Sequence, residues 1–171
     1  MGIERLRAVL DTNIYVAAYL TRNPNSPSAE LLKRWRNGEF DVLYCLEMLY
    51  EIVRKFREKS IPPRYTVALI GDLKSIGEAV PLRPYEAPPI ILDDPDDDIF
   101  VACARVGGAT HIVTYDSHFE VLSGEMEGIK ILDGLHFLYV VRKDVKPECG
   151  AEGRPETGDR RREMDDGRKG C

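Results

Sequence analysis

Arg7-Ala8-Val9-Leu10-Asp11-Thr12-Asn13 reads as a short apolar strand that stops on an acid, with Asn13 opening a helical run to Leu20. A hundred residues on, His111-Ile112-Val113-Thr114-Tyr115-Asp116 repeats the motif: a β-rich triplet, then an aspartate. What lies between decides how the two strands are related. Asn23-Pro24-Asn25-Ser26-Pro27 is a loop, Ser28 can cap a helix carrying Leu31, Leu32 and Trp35, and Gly38 ends it. Val42-Leu43-Tyr44 is a second strand. Leu49, Ile52, Val53 and Phe56 then recur at i, i+3, i+4 and i+7, the spacing of one helix face, so Glu47–Lys59 is expected to be an amphipathic helix. Another helix is expected at 63–76 and a short strand at 79–82, followed by a proline-rich connector to Pro95. Asp97–Val106 reads as a helix with Ile99, Ala102, Cys103 and Val106 on one face, Ile129–Leu132 as a strand and Leu135–Val141 as a last helix.

Strands alternating with helices imply an α/β fold with a mostly parallel central sheet and helices on both faces. In such sheets ligands bind beyond the carboxyl ends of the strands. Asp11 and Asp116 would then emerge on the same edge. A third acidic group, Asp93-Asp94-Pro95-Asp96-Asp97-Asp98, immediately precedes a helix and can open there too. Gathering carboxylates costs electrostatic energy, because each disfavours ionisation of its neighbours. A hard cation relieves that cost, and an all-oxygen site suits Mg²⁺ or Mn²⁺. Such ions activate water and neutralise charge developing on a phosphate during displacement. The bland alternatives are that acids before a helix serve its dipole and that an aspartate after a strand starts a turn.

The whole chain narrows the class. Its 171 residues are 43% apolar and 31% charged, a globular balance sufficient for one domain with a core. No apolar stretch approaches the roughly 20 residues of a membrane helix, and the charged N-terminal segment lacks a signal-peptide core, so a cytoplasmic protein is expected. The net charge of −5 excludes a broadly basic nucleic-acid surface but not a nuclease whose acidic centre is balanced by cations. Cys45, Cys103, Cys149 and Cys171 show no paired spacing for zinc, and Cys45 and Cys103 read as small core residues. His111, His118 and His136 show no ligand spacing. From residue 143 onward the chain is rich in Gly, Pro and charge, so 1–142 is expected to be the folded domain and 143–171 a disordered tail.

Taken together, these residues resemble the PIN-domain family over nearly all of 6–140. Val9-Leu10-Asp11-Thr12-Asn13 is similar to the family's first motif, and Cys45-Leu46-Glu47-Met48-Leu49-Tyr50-Glu51-Ile52-Val53 to the second. Asp94 to Ala104 resembles the third, and Ile112 to Phe119 the fourth. The resemblance implies a three-layer α/β/α PIN-like fold and an acidic quartet, Asp11, Glu51, Asp97 and Asp116, holding Mg²⁺ or Mn²⁺. Asn13 and Thr114 would be its supporting polar groups. Asp96 and Asp98 remain alternatives to Asp97, and Glu47 lies on the same side of its helix as Glu51. The implied activity is metal-dependent endoribonuclease cleavage of RNA. The implied setting is that of a VapC-like toxin, homodimeric and partnered by an antitoxin. A non-catalytic RNA- or protein-binding module on the same fold is the alternative. The sequence departs from the family's commonest pattern at Cys45, where serine is frequent, and at Tyr115, where glycine is frequent. Core packing is the expected role of Tyr115, with base stacking as the other reading.

Overall fold

The computed structural model describes residues 5–83, 95–117 and 124–144, with the side chains of the helix at 95–107 described from Ile99 onward. In chain order the elements are β1 (Arg7–Leu10), α1 (Thr12–Leu20), α2 (Pro27–Arg36), β2 (Asp41–Tyr44), α3 (Leu46–Glu58), α4 (Pro63–Ile76) and β3 (Glu78–Ala79). They continue with α5 (Pro95–Gly107), β4 (His111–Val113), β5 (Glu125–Met126), β6 (Ile129–Leu132) and α6 (Gly134–Arg142).

The strands form one six-stranded sheet in the order β3-β2-β1-β4-β6-β5. All neighbours are parallel except β5 and β6. Parallel strands packed on both faces are apolar throughout, and Ala8, Val9, Leu10, Val42, Leu43, Ile112 and Val113 are wholly buried. Helices cover the sheet in the three-layer α/β/α arrangement that the alternation implies. α3 shows why the layers hold. Met48, Leu49, Ile52 and Phe56 form its buried stripe, whereas Val53 is largely exposed. Burying each such side chain contributes about 1.5–3 kcal/mol, so the stripe alone fixes which way the helix faces.

Three local readings are corrected. The cap of α2 is Ser26, whose Oγ accepts from the Ala29 N–H at 3.3 Å, because Pro27 has the fixed φ and absent N–H that suit the first helical position. Ser28 is instead buried. β3 begins one residue before the expected strand and ends at Ala79. β5 was not expected at all: it is two residues long, joined to β6 by a two-residue turn in which Glu127 (φ 50°) and Gly128 (φ 82°) are both left-handed. That backbone matches the twist of a tight hairpin, and Arg105 grips the Glu127 carboxylate with two 2.9 Å bonds. α6 ends at Arg142 with Lys143 as a left-handed cap, so apart from Lys143 and Asp144 the expected tail lies outside the described residues.

Connectivity singles out one place in this sheet. From β1 the chain moves to β2 and β3 on one side, then returns through α5 to β4 on the other side of β1. The strand order reverses at the β1/β4 boundary, and connections leaving in opposite directions open a crevice at the carboxyl ends of those two strands.

Candidate active site

Asp11 is the first residue past β1, and Thr114 the first past β4. Since Leu10 pairs with Val113, the two stand side by side at the β1/β4 crevice. Asp11 is only 5% exposed. Its carboxylate Oδ2 accepts from the Thr114 Oγ1 at 2.5 Å and from the Asn13 Nδ2 at 2.6 Å. Its Oδ1 accepts from the Asn13 backbone N–H at 3.3 Å, which makes Asp11 also the N-cap of α1. The capping role and the site role are therefore one geometry rather than alternatives.

Asn13 and Thr114 bind the two motifs into one unit. The Asn13 Oδ1 accepts from the Tyr115 N–H at 3.2 Å, while the Thr114 Oγ1 accepts from the Asp116 N–H at 2.9 Å. Each polar group uses both its donor and its acceptor capacity, so the loop after β4 is held against the start of α1. Burial pushes the Asp11 carboxyl above its ordinary value; the bonds from Thr114 and Asn13 pull it back, and the charge of Asp116 adds to the upward push. That last effect places Asp116 within electrostatic reach of Asp11.

α5 ends at Gly107, whose carbonyl accepts from the Arg7 guanidinium at 2.8 Å at the start of β1. A 13-residue helix spans about 20 Å, so α5 runs back along the sheet and its N-terminal end is aimed at the edge where Asp11 lies. Asp96, Asp97 and Asp98 occupy its first turn, but their side chains, like Asp93 and Asp94 altogether, lie outside the described residues. Glu51 is half-buried on α3 and Glu47 is exposed in its first turn. Among the described residues no three carboxylates, histidines or cysteines converge on one point. Among the described residues the structure thus brings together Asp11, Asn13, Thr114 and Asp116. Cys45 and Cys103 are buried free thiols, as expected. His111 is also buried, against Phe137; burial, then the charge of Lys130, lowers its pKa to about 4, so it is a neutral core residue. His118 lies outside the described residues.

Next to this cluster is a cleft of about 370 Å³ whose walls include Thr114, Tyr115, Asp116, Ser117 and Asp133. Two of those residues were not singled out correctly from the sequence. Tyr115 is 46% exposed, not packed in the core. Asp133 follows β6 just as Asp11 follows β1: Val113 pairs with Leu132, so Asp133 is level with Thr114. It caps α6 by accepting from the His136 N–H at 2.8 Å, and its Oδ2 lies 2.7 Å from the His136 Nδ1. A strand ending on an acid before a helix was the available signal for Asp133.

A match to the PIN domain family model covers residues 7–118, about two thirds of the sequence. The chain belongs to the PIN domain family. The match includes both strands that bear the site and the helix that follows the acidic run. Solved structures agree with the fold. VapBC2 from Rickettsia felis, bound to a DNA fragment from its promoter, is similar with a TM-score of 0.53 at 14% identity, over 75% of this chain and 98% of that one. PAE2754 from Pyrobaculum aerophilum is similar with a TM-score of 0.53 at 14% identity, over 82% of this chain and 91% of that one. No curated protein matches this PIN domain by sequence.

Proposed function

We propose that this PIN domain is a metal-dependent endoribonuclease that hydrolyses phosphodiester bonds in RNA, and that it acts in the cytoplasm as the toxin of a toxin–antitoxin pair. The observation that carries this reading is the buried Asp11 carboxylate, gripped by neutral donors at the crevice between β1 and β4 with Asp116 beside it. Among the described residues, a carboxylate held this way is oriented by neutral donors rather than neutralised by an arginine or lysine.

The donor chemistry fits a hard divalent cation: the groups are all oxygen, and the strain of a buried, raised carboxyl is what a cation relieves. Asp11 and Asp116 would hold Mg²⁺ or Mn²⁺, with Glu51 and Asp97 completing the quartet that the family resemblance implies. When bound, such an ion lowers the pKa of water and offsets the charge that builds on the phosphate. Thr114 and Asn13 fix the rotamer of Asp11 and hold the Asp116 loop, which is how a second layer of hydrogen bonds sets ligand orientation. The cleft beside Asp116 would receive the substrate strand.

The toxin setting is supported by the fold shared with VapBC2. No helix among the described residues is long and apolar enough to cross a membrane. A protein partner has a fitting surface between α3 and α4, where Val53, Val67 and Ile70 line an apolar groove suited to an antitoxin segment. A homodimer is part of the same proposal. The test is cleavage of single-stranded RNA by highly purified protein with Mg²⁺, with excess EDTA, and after Mg²⁺ is restored. Cleavage that EDTA abolishes and Mg²⁺ restores is expected. RNA binding without any turnover would favour the non-catalytic module instead.

A further inference from the structure

We propose that Tyr115 is a stacking platform for a nucleobase of the RNA substrate, placing the adjoining phosphate over Asp11 and Asp116. The inference rests on the ribonuclease reading and adds to it the residue that binds a base.

Three observations make the ring a built feature rather than a stray surface aromatic. First, Tyr115 sits between Thr114 and Asp116 in sequence and lines the same cleft as both. Second, its hydroxyl shares a 2.9 Å hydrogen bond with the Oγ of Ser28, which is only 3% exposed. An exposed tyrosine gains little from such an anchor unless its orientation matters, because anchoring costs rotamer freedom. Third, the fold leaves room for the phenol at Gly134: a Cβ there would lie 2.3 Å from the Tyr115 Oη and 3.0 Å from its Cζ. Three separate elements, α2, the loop after β4 and the start of α6, thus meet to hold one aromatic ring at the rim of the cleft.

The charge balance says what the ring is for. A chain of net charge −5, with carboxylates lining this cleft, cannot gain its RNA affinity there from broad phosphate contact. Stacking on an aromatic ring is independent of charge and accepts any base. Ile131, Leu132 and Gly124 continue the cleft with apolar or bare surface, as the flat face of a base requires.

The test is a cycle of protein variants and substrate variants in steady-state cleavage of a short single-stranded RNA, whose bases are replaced one at a time by abasic nucleotides. Tyr115→Ala should raise KM about tenfold with kcat little changed, the size expected for one lost stacking contact. Tyr115→Leu, which keeps apolar bulk without the ring, should match it, and thermal melting of both variants should show one cooperative transition, lowered equally by loss of the Ser28 bond. Tyr115→Phe, which keeps the ring but loses the anchor to Ser28, should fall between wild type and Tyr115→Ala in KM. At one position of the RNA, removing the base should cost the wild type about tenfold and cost Tyr115→Ala nothing further, since both changes delete the same contact. Wild-type cleavage with KM unchanged in Tyr115→Ala would overturn the stacking role alone, as would equal abasic penalties in the two proteins at every position. A wild type that neither cleaves nor binds the RNA would overturn the ribonuclease reading and this inference with it.

Discussion

Carboxylates stand at both ends of the strands, and the protein treats the two ends differently. Where strands begin, acids meet arginines: Asp41 pairs with Arg5 at 2.8 Å, Glu78 with Arg7 at 2.7 Å, and Glu127, in the turn before β6, with Arg105 at 2.9 Å. Where β1 and β4 finish, Asp11 is held by a hydroxyl and an amide. An arginine neutralises an acid and uses up its acceptor capacity; a threonine and an asparagine orient it and leave the charge in place. The first treatment serves stability at an exposed edge. The second orients a buried carboxylate with neutral donors, as the proposed cation site requires, at a cost visible in the raised Asp11 carboxyl.

Neutralising one end should therefore matter far more than neutralising the other. Asp11→Asn and Asp116→Asn should each reduce RNA cleavage more than about a hundredfold, beyond what loss of a supporting residue does. The same Asp11→Asn change should raise, or leave unaltered, the melting temperature without metal. The sign follows from the raised carboxyl: the folded state binds the proton more tightly than the unfolded one. Its contribution to stability is thus present when protonated and lost as pH rises through the ordinary carboxylate range to the folded value. At neutral pH the asparagine escapes that loss. A marked drop in melting temperature in both variants, with RNA cleavage retained, would make these aspartates structural caps alone, like Asp133.

The acidic run at the start of α5 gives a comparison within one turn. Successive helical residues point about 100° apart, so a single member can face the crevice squarely. Asp97→Ala should abolish cleavage, while Asp96→Ala and Asp98→Ala should lose about tenfold or less. Equal losses at all three, measured as kcat/KM, would mean that the run acts as diffuse charge.

Thr114→Val keeps the shape of the side chain and removes the bond to Asp11. Its cleavage rate should fall about 10- to 100-fold, the usual cost of losing a residue that orients a metal ligand. A rate within twofold of wild type would show that Asn13 holds Asp11 unaided.

The pattern of these effects also marks what the sequence could and could not disclose. Every strand of four residues, and the amphipathic α3, was legible from apolar runs and i, i+3, i+4 spacing, because burial on a sheet face or helix stripe leaves a periodic trace. β5 was not, since two residues carry no period and its signal was only the Glu127-Gly128 turn. Ser28 was misread because serine caps helices well; Pro27 moved that duty to Ser26. Asp11 and Asp116 were legible as strand-end acids, whereas Asn13 and Thr114 entered only through the family resemblance; the parallel register brings the four together. Tyr115 was misjudged as core because its anchors, Ser28 and Gly134, are distant in sequence. Nothing local to a tyrosine records that a buried serine 87 positions away will hold its hydroxyl.

At the opposite end, the smallest effects are expected. Arg5→Ala or Arg105→Ala breaks an exposed ion pair, which is worth about 0.2–1 kcal/mol, and should leave cleavage within about twofold. Urea unfolding read beside the activity assay separates the two. A hundredfold loss of cleavage in either variant would collapse the distinction between the two ends of the sheet.

The most direct measurement is a Mn²⁺ titration of the melting temperature of wild type and Asp11→Asn in parallel. A ligand bound only by the folded state stabilises it by about 2.7 kcal/mol at a hundred times its Kd. Wild type should melt several degrees higher as Mn²⁺ saturates, and Asp11→Asn should show little or no rise over the same range. Equal rises in the two proteins, or none in wild type at millimolar Mn²⁺, would contradict the claim that this carboxylate is kept charged for a cation.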